Sequence, residues 1–91
     1  MKDFSDRKYL NVKQVSLVSR QEDSRKFHVQ GDLYDINGQV VSSPSFVVEI
    51  PLYRSITSAR KGIQRRISKA AGAESGWFSK KIIEFVINEV M

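Results

Sequence analysis

Apolar and polar residues alternate along much of the segment between residues 10 and 52, and this period of two restricts the first half of the chain to β-strands. The segments "LNVKQVSLVSR" and "KFHVQGDLYD" predict two strands, joined by a polar turn at "QEDS". Alternate side chains of a strand point to the same side. One face of the second strand therefore carries Phe27, Val29, Gly31 and Leu33. The pattern predicts a hairpin with an apolar face that a further element must cover.

The dipeptide Asn37-Gly38 lies between β-forming residues and is the strongest hairpin signal in the chain. Both central residues of a type I′ turn need positive φ, which asparagine and glycine tolerate better than other residues. The sequence therefore predicts a type I′ turn at Asn37-Gly38, followed by a third strand that begins at Gln39.

Pro44 interrupts this third strand. Because proline cannot donate a hydrogen bond to a neighbouring strand, its position indicates a bulge, a bend or the edge of a sheet. The alternation resumes after Pro44, with Phe46, Val48 and Ile50 on one side. Residues 39–50 are therefore expected to form either one bent strand or two short strands.

A helical period replaces the alternation after residue 54. Ser55 has the side chain of a good N-cap, and Gly72 is placed to end the helix in the left-handed conformation. The apolar positions recur at spacings of three and four and form one stripe, composed of Ile56, Ala59, Ile63, Ile67 and Ala70. Each isoleucine buried against the sheet contributes about 1.5–3 kcal/mol, which is enough to dock a helix over residues 55–71.

The tail "ESGWFSKKIIEFVINEVM" fits two structures. As a helix over residues 79–90 it has a wide apolar face, and as a strand it is rich in β-branched residues. We favour the helix. An apolar face of this width also makes a homodimer an option, because a small domain has little surface with which to cover it.

The order of these elements predicts one α+β domain over residues 1–91. A three- to four-stranded antiparallel β-meander packs against one amphipathic helix, with a C-terminal helix (or strand) beside it. No apolar run exceeds three residues, and "MKDFSDRKYL" lacks the apolar segment of a secretory signal. We therefore expect a cytoplasmic protein that does not insert into membranes.

The composition excludes several classes of catalyst. The chain has no cysteine and a single histidine, His28, so cysteine–histidine nucleophiles and thiolate metal sites are absent. His28 and Asp32 share a strand face, but two ligands do not make a metal site. The five glycines are scattered, without a phosphate-binding fingerprint. We predict a protein that is not an enzyme and that needs neither a metal nor another cofactor.

The net charge of +5 is concentrated in one segment. Residues 54–72 contain six basic side chains and no acidic one, whereas basic and acidic residues nearly balance over the rest of the chain. The six are Arg54, Arg60, Lys61, Arg65, Arg66 and Lys69. Such an asymmetry indicates an anionic partner rather than a particular fold.

Helical geometry, at about 100° per residue, places most of these side chains opposite the apolar stripe, with Arg60 and Arg66 flanking it on either side. Polar residues oppose the core on any surface helix, so this placement alone does not imply binding. However, Arg65 has a like-charged residue four positions away on each side, and such pairs destabilise a helix. Gly62 is a second anomaly, explained either by close approach of a partner or by simple tolerance.

These features predict a non-enzymatic protein that binds nucleic acid, DNA or RNA, or acts as an accessory to it. The six basic residues would contact phosphates. The alternative is a small protein-interaction module, an adaptor, regulator or inhibitor of the kind common in phages and mobile elements, that docks on an acidic protein surface. Trp77 and Phe78 are expected to cap the core beneath a loop, with an interface anchor as the other interpretation.

Overall fold

The computed structural model describes residues 7–91, apart from the side chain of Ser75. Within that range the chain forms five strands and two helices. In chain order they are β1 (Tyr9–Arg20), β2 (Ser24–Tyr34), β3 (Val40–Ser42), β4 (Ser45–Pro51), α1 (Ile56–Ala70), β5 (Glu74–Trp77) and α2 (Lys80–Val90). The α+β class predicted from the sequence is confirmed.

The sheet is built around the long antiparallel pair β1–β2. On the outer side of β2, β3 and β4 pair with consecutive stretches of the same strand, so they form one edge strand that is interrupted at Ser43 and Pro44. The backbone carbonyl of Pro44 accepts a hydrogen bond from Gly31 N at 3.2 Å. Residues 39–50 are therefore two short strands on one line, as the proline indicated.

The fifth strand, β5, was not predicted. It pairs with β1 in parallel at the opposite edge and makes the sheet mixed rather than purely antiparallel. β5 has only four residues, and a glycine and a serine occupy two of them. Neither its length nor its composition distinguishes it from a loop.

Both helices contribute to a single core on one face of the sheet. The other face lies open, with polar residues and Val47 exposed on it. The core combines the inward positions of β1, β2 and β4 with one stripe from each helix. Its buried residues are Leu10, Val12, Phe27, Val29, Leu33, Val48, Ile50, Ala59, Ile63, Ile67, Ile83, Val86, Ile87 and Val90.

The ends of α1 follow the sequence prediction. The Ser55 side chain accepts a hydrogen bond from Ser58 N, and Gly72 adopts φ +67° just beyond the helix. Gly72 N donates a hydrogen bond to Lys69 O and Ala73 N donates one to Ser68 O, which together form a Schellman motif. The buried stripe is shorter than predicted, because Ile56 is 55% exposed and Ala70 is exposed.

The hairpin between β2 and β3 is present, but the predicted turn type is wrong. Gly38 adopts φ +79°, whereas no non-glycine residue in the described range has a positive φ, so Asn37 cannot occupy a type I′ position. Gly38 N donates a hydrogen bond to Asp35 O, and Asp35 N donates one to Gln39 O. These two bonds close a loop of three residues. Asp35 Oδ1 also accepts hydrogen bonds from Asn37 N and Gln39 N. The aspartate therefore stabilises a loop that is one residue longer than the predicted type I′ turn.

The tail beyond β5 is a helix, as favoured from the sequence. Ser79 caps α2 by accepting a hydrogen bond from Ile82 N at 3.1 Å. Most of the wide apolar face is buried in the core, and Phe85, 38% exposed, packs edge-on against Phe27. The face that suggested a homodimer is thus largely covered within the chain.

Candidate functional site

The six basic residues singled out in the sequence are all exposed. Arg54 precedes the capping residue, and the other five lie along α1. Within residues 7–91 the ion pairs are Lys13–Asp32 and Arg20–Glu89, so none of the six is matched by a carboxylate there. The positive charge of α1 is therefore presented to solvent without internal compensation.

A groove runs along one side of this helix, between α1 and the segment that follows β4. Its volume is about 490 Å³. Its walls, which define the basic groove, are Tyr53, Ser58, Lys61, Gly62, Arg65, Arg66 and Lys69. The structure thus gathers four of the six predicted residues around one depression, and no acidic residue lines it.

Tyr53 forms the wall of the basic groove that does not belong to α1. Its backbone N donates to Val90 O at 2.8 Å, which ties it to the end of α2. Its half-buried ring packs against the core, and its hydroxyl accepts a hydrogen bond from Arg66 Nε at 3.3 Å. The ring is therefore held in place from both ends, and it orients the Arg66 guanidinium.

The Tyr53 ring leaves no room for a side chain at Gly62. A Cβ at residue 62 would lie 2.5 Å from Tyr53 Cζ and closer still to the hydroxyl oxygen. The glycine is therefore explained by packing within the chain, and neither a partner's approach nor simple tolerance is needed. Sequence reasoning missed Tyr53, although a glycine inside an otherwise regular helix is a signal that something lies against it.

Replacing Gly62 with alanine is expected to have opposite effects in two backgrounds. In an exposed helix this change normally stabilises by about 1 kcal/mol, but here the new Cβ displaces the Tyr53 ring, so Gly62→Ala should destabilise the protein. In a Tyr53→Ala background the obstacle is gone, and the same substitution should stabilise it. Urea unfolding of the four proteins measures both steps, and equal stabilisation in both backgrounds would contradict the packing described here.

The remaining two basic residues lie elsewhere. Arg60 lines a second, shallower depression on the other side of α1, together with Ile56, Thr57 and Gln64. Lys61 borders both depressions. Arg54 lines neither of them. The basic helix therefore presents its densest charge on the side of Tyr53.

Trp77 is not a core residue, contrary to the expectation that it caps the core. Its side chain is 60% exposed, whereas Phe78 is half-buried and packs against the core. The pair is thus divided, with one ring facing solvent and the other facing inward.

The polar residues of the open sheet face pair with one another. Asp32 accepts a hydrogen bond from Ser43 at 2.8 Å and an ion-pair contact from Lys13 at 3.1 Å. The hydrogen bond from Ser43, and to a lesser extent the contact with Lys13, lowers the pKa of Asp32. The same contact with Asp32 raises the pKa of Lys13. His28 Nε2 lies 2.6 Å from the Ser45 hydroxyl. Throughout residues 7–91, no three histidine or acidic side chains come together as metal ligands.

No protein-family model, curated protein or solved structure matches this chain. Neither helix in the described part of the chain has the length and apolar character needed to cross a membrane.

Proposed function

We propose that this protein binds nucleic acid by contacting phosphates with the basic side chains of α1, as a binding or accessory protein of the cytoplasm without catalysis of its own. One observation carries the proposal: across the described residues, the six cations of residues 54–69 have no carboxylate partner. Repulsion along α1 costs free energy in the unbound protein and is relieved when phosphates dock.

The basic groove supplies the main contacts. Three exposed cations line it, namely Lys61, Arg65 and Lys69. A fourth, Arg66, also lines it and donates a hydrogen bond to the Tyr53 hydroxyl. A guanidinium has five N–H donors, and this bond uses one of them. Arg54 and Arg60 would add contacts at the rim. Contacts of this kind fix position on a backbone without reading base sequence.

The dependence of affinity on salt tests the proposal. If about four phosphates are neutralised, log K should fall against log salt with a slope near −3.6 for a duplex and near −2.8 for a single strand. Anisotropy of a fluorescent oligonucleotide, measured between 50 and 300 mM salt, gives this slope. An affinity that does not respond to salt would rule out phosphate binding.

A protein-interaction module that docks on an acidic protein surface is the second candidate, because Trp77 is exposed and tryptophan is enriched at interaction hot spots. Retention experiments from nuclease-treated lysate separate the two functions. Capture of a protein that survives the nuclease, without retained nucleic acid, would favour this candidate over the first.

A further inference from the structure

A third depression, which shares no lining residue with the two beside α1, is bordered by the exposed side chain of Trp77. Its volume is about 340 Å³. We name it the Trp77 groove, and its lining includes Trp77, Tyr34, Asn11, Lys13, Ser79 and Ile82. An indole and a phenol ring therefore border one depression, and amide, hydroxyl and ammonium groups lie beside them.

Local structure fixes Trp77 in this exposed position. The pairing of β5 with β1 shifts register between Leu10 and Asn11, so that Trp77 becomes the partner of Asn11. Trp77 N donates to Asn11 Oδ1 at 3.0 Å. A side chain at Gly76 would collide with the backbone of Leu10 and with Asn11 Oδ1. A bulge of this kind re-aims a side chain, and here it holds a large apolar ring in water.

The charge around the Trp77 groove favours an anionic ligand. Lys13 lines the groove with a side chain that is 62% exposed, but it pairs with Asp32 at 3.1 Å, so these two residues together add no net charge. Lys80 and Lys81 occupy the exposed first turn of α2, which contains no acidic residue. Glu74, the carboxylate of β5, lies at the opposite end of that strand from Trp77.

We infer that the Trp77 groove stacks an unpaired nucleobase, which makes single-stranded nucleic acid the ligand. The inference rests on the proposed function and narrows its class of ligand. Aromatic side chains stack on any exposed base, but a duplex keeps its bases stacked inside. A basic surface near stacking rings is the combination found in proteins that bind single strands.

A single strand of 15 nucleotides is long enough to reach from one groove to the other. Lys69 of the basic groove and Trp77 are eight residues apart in the chain, a separation of at most about 28 Å. The part of the chain that the structure describes extends over 40 Å along its longest axis. A 15-nucleotide strand, at roughly 3.4 Å per phosphate, extends over about 50 Å, so it exceeds both distances.

Intrinsic fluorescence tests the inference, because Trp77 is the only tryptophan in the chain. We expect 15-nucleotide oligo(dT) or oligo(U) to quench the emission with saturation. Comparing the affinities of the two strands shows whether DNA or RNA is preferred. An oligo(dA)·oligo(dT) duplex should bind through the basic groove and leave the emission unchanged.

Substitution gives an independent readout. By anisotropy, Trp77→Leu should bind the labelled single strand about 5- to 150-fold more weakly, and Trp77→Phe should recover part of the loss because a ring remains. Val47→Ala is the matched control, since Val47 is 56% exposed on the open face of the sheet and outside the Trp77 groove. Thermal unfolding of each variant verifies that the fold is intact.

The outcomes separate this inference from the proposed function. Equal affinity for single strand and duplex, with unchanged fluorescence and full affinity in Trp77→Leu, overturns the stacking inference and leaves phosphate binding in place. No binding of any oligonucleotide overturns both. Quenching by a protein partner and by none of the strands assigns the groove to protein recognition and also overturns the inference.

Discussion

Reversing the charge of three residues, in a Lys61→Glu/Arg65→Glu/Lys69→Glu variant, is expected to weaken nucleic-acid binding by at least about 10³-fold, because each lost charge-assisted contact costs about 1.5–3 kcal/mol. The three side chains are exposed and unpaired with any carboxylate of residues 7–91. The fold should therefore survive. Anisotropy at 50 mM salt measures the affinity, and circular dichroism follows unfolding.

The single variant Arg65→Glu separates binding from stability. It turns the like-charged pairs with Lys61 and Lys69 into opposite-charged pairs, which should stabilise α1 by about 1 kcal/mol in total. The same change should reduce affinity about 10- to 100-fold through one lost contact. A variant that is more stable and binds less tightly is the expected result.

Lys26→Glu is the control for net charge. It lowers the charge by two, as Arg65→Glu does, but Lys26 lies on β2 opposite Glu49 and outside α1. Its affinity should fall by much less than that of Arg65→Glu. Equal losses in the two variants would show that overall charge matters rather than the helix, and an unaffected triple variant would exclude α1 as the binding surface.

Most of the fold could be predicted because it depends on local patterns. The alternation around Phe27 and the three- and four-residue spacing around Ile63 each repeat over several residues, and a buried face requires that repetition. The capping residues Ser55 and Gly72 act within one turn of the helix, so their role is visible in a short segment.

The features that could not be predicted depend on contacts between distant residues. The exposure of Trp77 is set by Asn11, 66 residues earlier in the chain. Tyr53 forms one wall of the basic groove, with its ring against Gly62 of α1. Its position depends on the hydrogen bond from its backbone N to Val90 O, at the C-terminal end of α2. The sequence therefore predicted which residues carry the charge, but not that a tyrosine would form the opposite wall of a groove that four of them line.

Phe27→Ala is expected to cause the largest loss of stability of any substitution considered. Phe27 is fully buried on the central strand β2, and its ring lies 6.2 Å from that of Phe85 at an interplanar angle of 79°. Truncating a buried phenylalanine costs about 3–5 kcal/mol. A domain of this size has roughly 5–14 kcal/mol in total, so the melting temperature should fall by at least about 12 °C.

The same variant connects the core to the binding surface. Both grooves lie on elements that the core holds together, so Phe27→Ala should bind nucleic acid only in proportion to the fraction folded. Below its melting transition, affinity per folded molecule should equal that of the wild type. Val47→Ala, on the exposed face, should melt within a few degrees of the wild type. If Phe27→Ala melted at the same temperature as Val47→Ala, the packing of the helices on this sheet would be wrong, and the geometry of both grooves with it.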